Sequence, residues 1–130
     1  MKKGFTLIEL LVVSTIIATL IGIASVSYIR ATQSSRDAKR KTDLEQIRQA
    51  LETYRSEIGT YPASKDSLDP DYISAVPTDP KTGTYQYTRT TTTTFSICAY
   101  LEVVPTGYTK PSACTMSCTA GTCNYGVTNP

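Results

Sequence analysis

Hydrophobic positions run almost unbroken at the start of this chain, recur at helical spacing in its middle and alternate toward its end. From Phe5 to Ile29 the residues are apolar or small, with Glu9 the only charge and Thr6, Ser14, Thr15, Thr19, Ser25 and Ser27 as mild polar interruptions. A run of that length can span a bilayer as a helix. Neither proline nor glycine interrupts the next stretch before Gly59, so the helix is expected to continue. Leu44, Ile47, Leu51, Tyr54 and Ile58 recur at steps of three and four, which places them on one face of an amphipathic helix. On the charged face Asp37 with Lys41, Arg48 with Glu52, and Glu52 with Arg55 stand at ion-pair spacing. Gly59 is the expected C-cap, with Pro62 shortly beyond it. One helix from Phe5 to Ile58 would be about 80 Å long, more than a small domain needs. Either an anchor precedes a separate core helix, or a continuous spine packs its apolar half against copies of itself.

After the helix, "TYPASKDSLDPDYISAVPTDPKTG" is rich in Pro, Asp, Ser and Gly and reads as an ordered loop. Leu68, Tyr72, Ile73 and Val76 are expected to pin it to the helix. Two antiparallel strands follow, Tyr85 to Thr90 and Phe95 to Val104, joined through a threonine run that lacks Asn-Gly or Asp-Gly. Phe95, Ile97, Ala99, Leu101 and Val103 share one face of the second strand, leaving Ser96, Cys98, Tyr100 and Glu102 on the other. Cys98 is therefore expected to point away from the helix, toward the tail "CTMSCTAGTC". The fold class is α+β, a long helix packed against a small antiparallel sheet.

Composition narrows the chemistry. At 130 residues the chain has room for one modest domain plus an anchor. Thirteen basic and eleven acidic side chains leave a formal charge of +2, far from a strongly basic nucleic-acid binder. No histidine is present, which removes Ser/His and Cys/His nucleophilic chemistry and the commonest metal ligand. No Gly-rich phosphate loop is found either. The chain is expected not to be an enzyme, and no cofactor or metal ligand is assigned. Cys98, Cys114, Cys118 and Cys123, an even count behind an N-terminus that looks exported, favour disulfides over zinc, because paired CxxC knuckles are missing. Three complete pairings stay open.

One residue resists the bland reading. A carboxylate fixed in hydrocarbon near a helix centre costs about 2.5 to 3.5 kcal/mol, so Glu9 asks for a partner. A short basic leader ending in Gly4, followed by "FTLIELLVV" with Glu9 as the fifth residue after that glycine, resembles the type IV pilins, in the broad class that includes the pseudopilins of type II secretion. The apolar helix running into an amphipathic one extends the resemblance to about residue 62. It implies cleavage by prepilin peptidase between Gly4 and Phe5 and N-methylation of Phe5. It further implies that Glu9 pairs with the terminal amine of a neighbouring subunit as the helices assemble into a filament. A new α-amine has an unperturbed pKa of about 7.7 to 8.0 and is largely protonated near neutral pH. Glu9 alternatively satisfies its own terminus near the membrane interface.

The pilin resemblance divides the chain into a leader (1–4), an apolar membrane and filament-core helix (5–29), its amphipathic continuation (30–58) and a small globular domain (59–130). It implies a precursor in the inner membrane that becomes part of an extracellular homopolymer, with an inner-membrane platform protein, a cytoplasmic assembly ATPase and, before assembly, membrane lipid as partners. A pseudopilin is the alternative, and a minor pilin acting as adhesin or DNA-uptake module a second. A fourth reading is a secreted domain released after Ala24. Two features depart from the family pattern: no proline lies between Gly4 and Tyr61, with Gly22 the weak substitute, and no acid follows Glu102, so no calcium ligands are transferred. Asp66, Asp69, Asp71 and Asp79 read as turn residues. Arg30, Arg36, Lys39, Arg40 and Lys41 form a collar that reads as a solvated helix face, with lipid phosphate or DNA as the other candidates. Thr90 to Thr94 read as an edge or turn rather than an O-glycosylation target, and Tyr85, Tyr87, Tyr100, Tyr108 and Tyr125 as sheet packing rather than a binding surface.

Overall fold

The computed structural model describes residues 4–81, 83–118 and 121–129. It resolves into two compact units, Met1–Gln33 and Ser34–Pro130. Helix α1, Leu7–Ile58, supplies residues to both. Within the first unit its large apolar side chains are exposed, from Val13 at 47% to Leu7 at 84%. The hydroxyls there close back on the helix: Ser14 donates to the Leu11 carbonyl, Thr15 to Val12, Thr19 to Ile16 and Ser25 to Ile21, at 2.8 to 2.9 Å. Those groups are satisfied without water, which suits a segment that leaves it.

In the second unit α1 presents Leu44, Ile47, Ala50 and Leu51 to a core shared with Tyr61, Leu68, Tyr85, Phe95, Ile97 and Ala99. Tyr54, Tyr72, Ile73 and Val76 pack around it, so the loop is pinned by the residues that the apolar spacing predicts. Ile58 departs from that stripe and is 56% exposed. The helix ends beside it, with the Gly59 amide bonded to the Arg55 carbonyl at 2.8 Å and φ at 86°, a conformation that favours glycine. Tyr61 is the next residue to enter the core. Its ring meets Phe95 edge-on at 4.6 Å, and its amide donates to the Thr92 carbonyl at 2.9 Å. A single 3₁₀ turn, Lys65–Leu68, is capped by Ser64 and buries Leu68.

Three strands make the main sheet: β1 (Gln86–Thr91), β2 (Thr94–Ala99) and β5 (Tyr125–Thr128), in the order β1-β2-β5 and all antiparallel. A small hairpin, β3 (Ser117–Cys118) with β4 (Gly121–Thr122), lies apart from that sheet. Thr92 and Thr93 form the turn between β1 and β2, beside a register irregularity between Arg89 and Thr91. Central in its sheet, β2 is buried on both faces. Phe95, Ile97 and Ala99 join the helix-side core, while Cys98 joins a second cluster with Cys114, Cys118, Cys123 and Tyr100. The bonds are Cys98–Cys114 and Cys118–Cys123.

Two expectations are corrected. The predicted strand to Val104 stops at Ala99 because side chains take over its backbone partners. Asn124 Oδ1 accepts from the Leu101 amide at 2.7 Å, and Asp37 accepts from the amides of Glu102 and Val103 at 3.0 and 2.8 Å. Strand β5 lies in a segment for which no strand is predicted. Gly126 sits opposite Cys98 in that pairing. A Cβ on Gly126 would collide with Cys114 Sγ and lie 2.8 Å from the Ile97 carbonyl oxygen. Along its free edge, the Tyr108 hydroxyl bonds both the amide and the carbonyl of Gly126, at 3.0 and 2.8 Å.

Replacing Gly126 by Ala should therefore act like overpacking a core, lowering stability by about 1 to 3 kcal/mol. Thermal unfolding of the purified chain reads this; a melting temperature equal to the parent's would contradict the packing described.

Candidate functional site

Two places in the chain carry charge where apolar surroundings make it consequential. The first is the N-terminal segment. Gly4, Phe5 and Thr6 precede the helix in non-helical backbone and are exposed, Phe5 at 82%. Helix α1 starts at Leu7, which makes Thr6 its N-cap and Glu9 its third helical residue. The Glu9 amide donates to Thr6 Oγ1, and Thr6 Oγ1 in turn donates to Glu9 Oε2, both at 3.4 Å. This is a variant of the Thr-x-x-Glu capping box, which satisfies orphan donors at a helix start and sets a carboxylate against the positive end of the helix dipole. Glu9 thus has a local partner within the single chain. The Thr6 to Glu9 spacing carried that signal in the sequence. Lys2 and Lys3 of the basic leader lie outside the described residues.

The second place is in the other unit, where Arg40 is only 1% exposed. Its guanidinium makes a two-pronged contact with Asp79, Nε to Oδ2 at 2.7 Å and Nη2 to Oδ1 at 3.0 Å. Nη1 donates to Asp37 Oδ1 at 2.7 Å and to Glu102 Oε1 at 3.2 Å. Arg36 grips Glu102 with both prongs at 2.7 Å, and Lys81 Nζ approaches the same carboxylate at 3.8 Å. Three carboxylates, Asp37, Asp79 and Glu102, thereby meet three cations, Arg36, Arg40 and Lys81. Charges as nearly desolvated as Arg40 and Asp37 persist only with excellent geometry and matched sign, and both are present. The hydrogen bonds from Arg36, and after them those from Arg40, hold Glu102 well below the usual carboxylate range, at about 2. Arg40 is pushed further above its already high range, chiefly by Asp79. Nearby, burial and then the 2.7 Å bond from its hydroxyl to Asp43 raise the Tyr85 phenol.

This network corrects the reading of the collar as one solvated face. Arg36 and Arg40 are committed to acids of the same unit, and Lys41 stands 5.7 Å over the Tyr125 ring. Arg30 and Lys39 are exposed and, among the described residues, carry no ion pair. A DNA-binding surface built on Arg36, Lys39, Arg40 and Lys41 loses both arginines. The helical partners also differ from those expected: Asp37 meets Arg40 and Arg48 meets Glu45 at 2.7 Å, both three residues apart, and Glu52 accepts from the Tyr61 hydroxyl at 2.8 Å. Asp66 is a turn residue, bonded to Ser64 and Lys65. Asp79 is more, since it holds the Lys81 amide at 2.9 Å while pairing with Arg40.

Residues 1–25 match the family model for the prokaryotic N-terminal methylation motif. Residues 27–102, more than half of the chain, match that for protein G of the type II secretion system. The chain belongs to the type IV pilin and pseudopilin family. No curated protein and no solved structure matches it. Pilins and pseudopilins are structural subunits, and the methylation motif with its apolar helix fits a membrane-anchored precursor. In this pilin-like chain the secretion-type match ends at Glu102, the residue that closes the ion network, and the two disulfides depend on the tail beyond it.

A group with a folded pKa depressed to about 2 contributes stability that is present above its unfolded value and lost as pH falls through the folded one. The melting temperature of the chain should accordingly fall between about pH 5 and pH 2, and Glu102→Gln should flatten that slope. Arg40→Met leaves Asp37, Asp79 and Glu102 converging without their shared cation and should cost about 3 to 5 kcal/mol in chemical unfolding. A loss under 1 kcal/mol would show that the carboxylates find water instead.

Proposed function

We propose that the chain is the building block of a type IV pilus-like extracellular filament, cut between Gly4 and Phe5 by prepilin peptidase, N-methylated on Phe5 and polymerised through α1. The observation that carries this reading is the surface of the first unit. Leu7, Ile8, Leu10, Leu11, Ile16 and Ile17 are half or more exposed along a helix with a single carboxylate near its start. At about 25 cal/mol per Å² of apolar area, such a surface favours transfer from lipid to sister helices over exposure to water. Contacts of that kind between identical chains are heterologous and extend without closing.

Glu9 gives the assembly its register. Cleavage creates a positive amine on Phe5, and a carboxylate from one subunit paired with the amine of the next compensates two charges that are costly apart. The Thr6 contacts of Glu9 are long at 3.4 Å and leave one carboxylate oxygen for such a partner. The chain is a substrate and a structural element in this scheme, and no catalytic group is needed. Membrane lipid surrounds the precursor, while a platform protein and a cytoplasmic ATPase supply position and work.

Similarity to protein G over residues 27–102 favours a second reading, the pseudopilus of a type II secretion system. Both share the processing and pairing chemistry. Mass analysis of the N-terminal peptide from native cells should give methylated Phe5, and Glu9→Ala should abolish filaments seen by electron microscopy while leaving that cleavage intact. A chain that begins at Met1 or after Ala24, or full-length filaments from Glu9→Ala, would overturn the mechanism. Extracellular filaments from the parent favour the pilus, and filaments confined to the envelope favour the pseudopilus.

A further inference from the structure

Before it assembles, the precursor must place its one acid somewhere in the bilayer. The polar side chains at both ends of the apolar band define where. Between residues 10 and 27 the hydroxyls of Ser14, Thr15, Thr19, Ser25 and Ser27 donate to carbonyls of their own helix, so none of them requires an outside partner. Outward-reaching polarity begins on one side at Glu9, with Thr6, and on the other at Tyr28 and Arg30. Tyr28 is 73% exposed, its hydroxyl at the end of an otherwise apolar ring, and Arg30 is an exposed cation without an ion pair among the described residues. A helical rise of 1.5 Å per residue separates Glu9 from Tyr28 by about 28 Å and from Arg30 by about 32 Å. A bilayer hydrocarbon core is about 30 Å thick.

We propose that the precursor sits in the membrane with Glu9 in one headgroup layer and Tyr28 and Arg30 in the other, where Arg30 meets phospholipid phosphate, so that the carboxylate is never immersed in hydrocarbon before assembly. This rests on the membrane-anchored reading above. Charge complementarity selects the occupant: a guanidinium meets the phosphates of the headgroup layer, and a tyrosine ring prefers the boundary between hydrocarbon and water. At the other end Glu9 escapes the cost of about 2.5 to 3.5 kcal/mol that a charge near the helix centre incurs. Its desolvation is deferred until the helix is drawn out of the bilayer and a neighbour's amine is available to meet it. Lipid thus sets the starting depth from which every subunit is extracted.

The chain contains no tryptophan, so one introduced indole is a clean reporter of depth. Full-length precursors carrying Leu10→Trp, Leu20→Trp or Tyr28→Trp are reconstituted in phosphatidylcholine and phosphatidylglycerol vesicles. The lipids are brominated either near the carbonyl end or near the methyl end of the acyl chain. The expected ratio of carbonyl-end to methyl-end quenching is above one for Leu10→Trp and Tyr28→Trp, and below one for Leu20→Trp. Adding Glu9→Leu to Leu10→Trp removes the charge that holds that end and should lower its ratio at least twofold. Ratios below one at position 10, or an unchanged ratio on Glu9→Leu, would overturn the register while leaving the membrane reading in place. Absence of quenching at all three positions would overturn both.

Discussion

The apolar surface between Phe5 and Ile29 is the constraint to which the other features of this chain answer. A single copy cannot bury it: the large side chains of the first unit are exposed, and the hydroxyls among them are turned back onto the helix backbone. Such a surface is stable in only two settings, surrounded by lipid or by copies of itself, and a filament subunit has to pass from one to the other. Glu9 is the group for which the two settings differ most. In the membrane register proposed above it reaches a headgroup layer, and in the proposed assembly a neighbour's amine meets it.

The second unit solves a different problem, that of holding a small sheet on a helix with few residues. Its core is one strand deep, since among the described residues β2 is the only strand buried on both faces and its two sides serve different clusters. Covalent bonds supplement the core on one side, where the two disulfides pin the tail against Cys98 and Tyr100. On the other margin the ion network does comparable service. Arg40 draws the loop through Asp79 and the chain after β2 through Glu102 onto α1, and Asp37 occupies the backbone amides at which β2 would otherwise have continued. The same carboxylate therefore neutralises a buried cation and ends a strand.

How much of this was legible depends on whether a residue's role is set by its neighbours in sequence. Helix α1 was legible because periodicity and the missing breakers act locally, and Gly59 ended it where a flexible residue followed by Pro62 allows an end. The outward direction of Cys98 followed from the two-residue period of a strand, which holds wherever the strand lies. The Thr6–Glu9 capping box is equally local, set by a threonine three positions before the carboxylate at the helix start. The premature end of β2, the strand at Tyr125–Thr128 and the pairing of Arg40 with Asp79 and Glu102 were not legible, because each depends on groups 23 to 66 positions apart. Spacing along a helix offered Asp37 both Arg40 and Lys41, and packing against Asp79 and Glu102 selected Arg40.

What the sequence determined by itself is the division of labour: an apolar helix with one acid, an amphipathic continuation, and cysteines gathered where a tail can be fastened. Local spacing and the transfer energies of side chains suffice for that, and neither requires knowledge of distant contacts. Tertiary structure alone decided which charges are spent internally and which remain available. Arg36 and Arg40 look like Arg30 and Lys39 in the sequence, yet folding brings Asp79 and Glu102 to the first pair and leaves the second pair exposed. It also decided the pairing of the four cysteines, because three arrangements satisfy the sequence, and only the approach of Cys114 beside Gly126 at the central strand selects one.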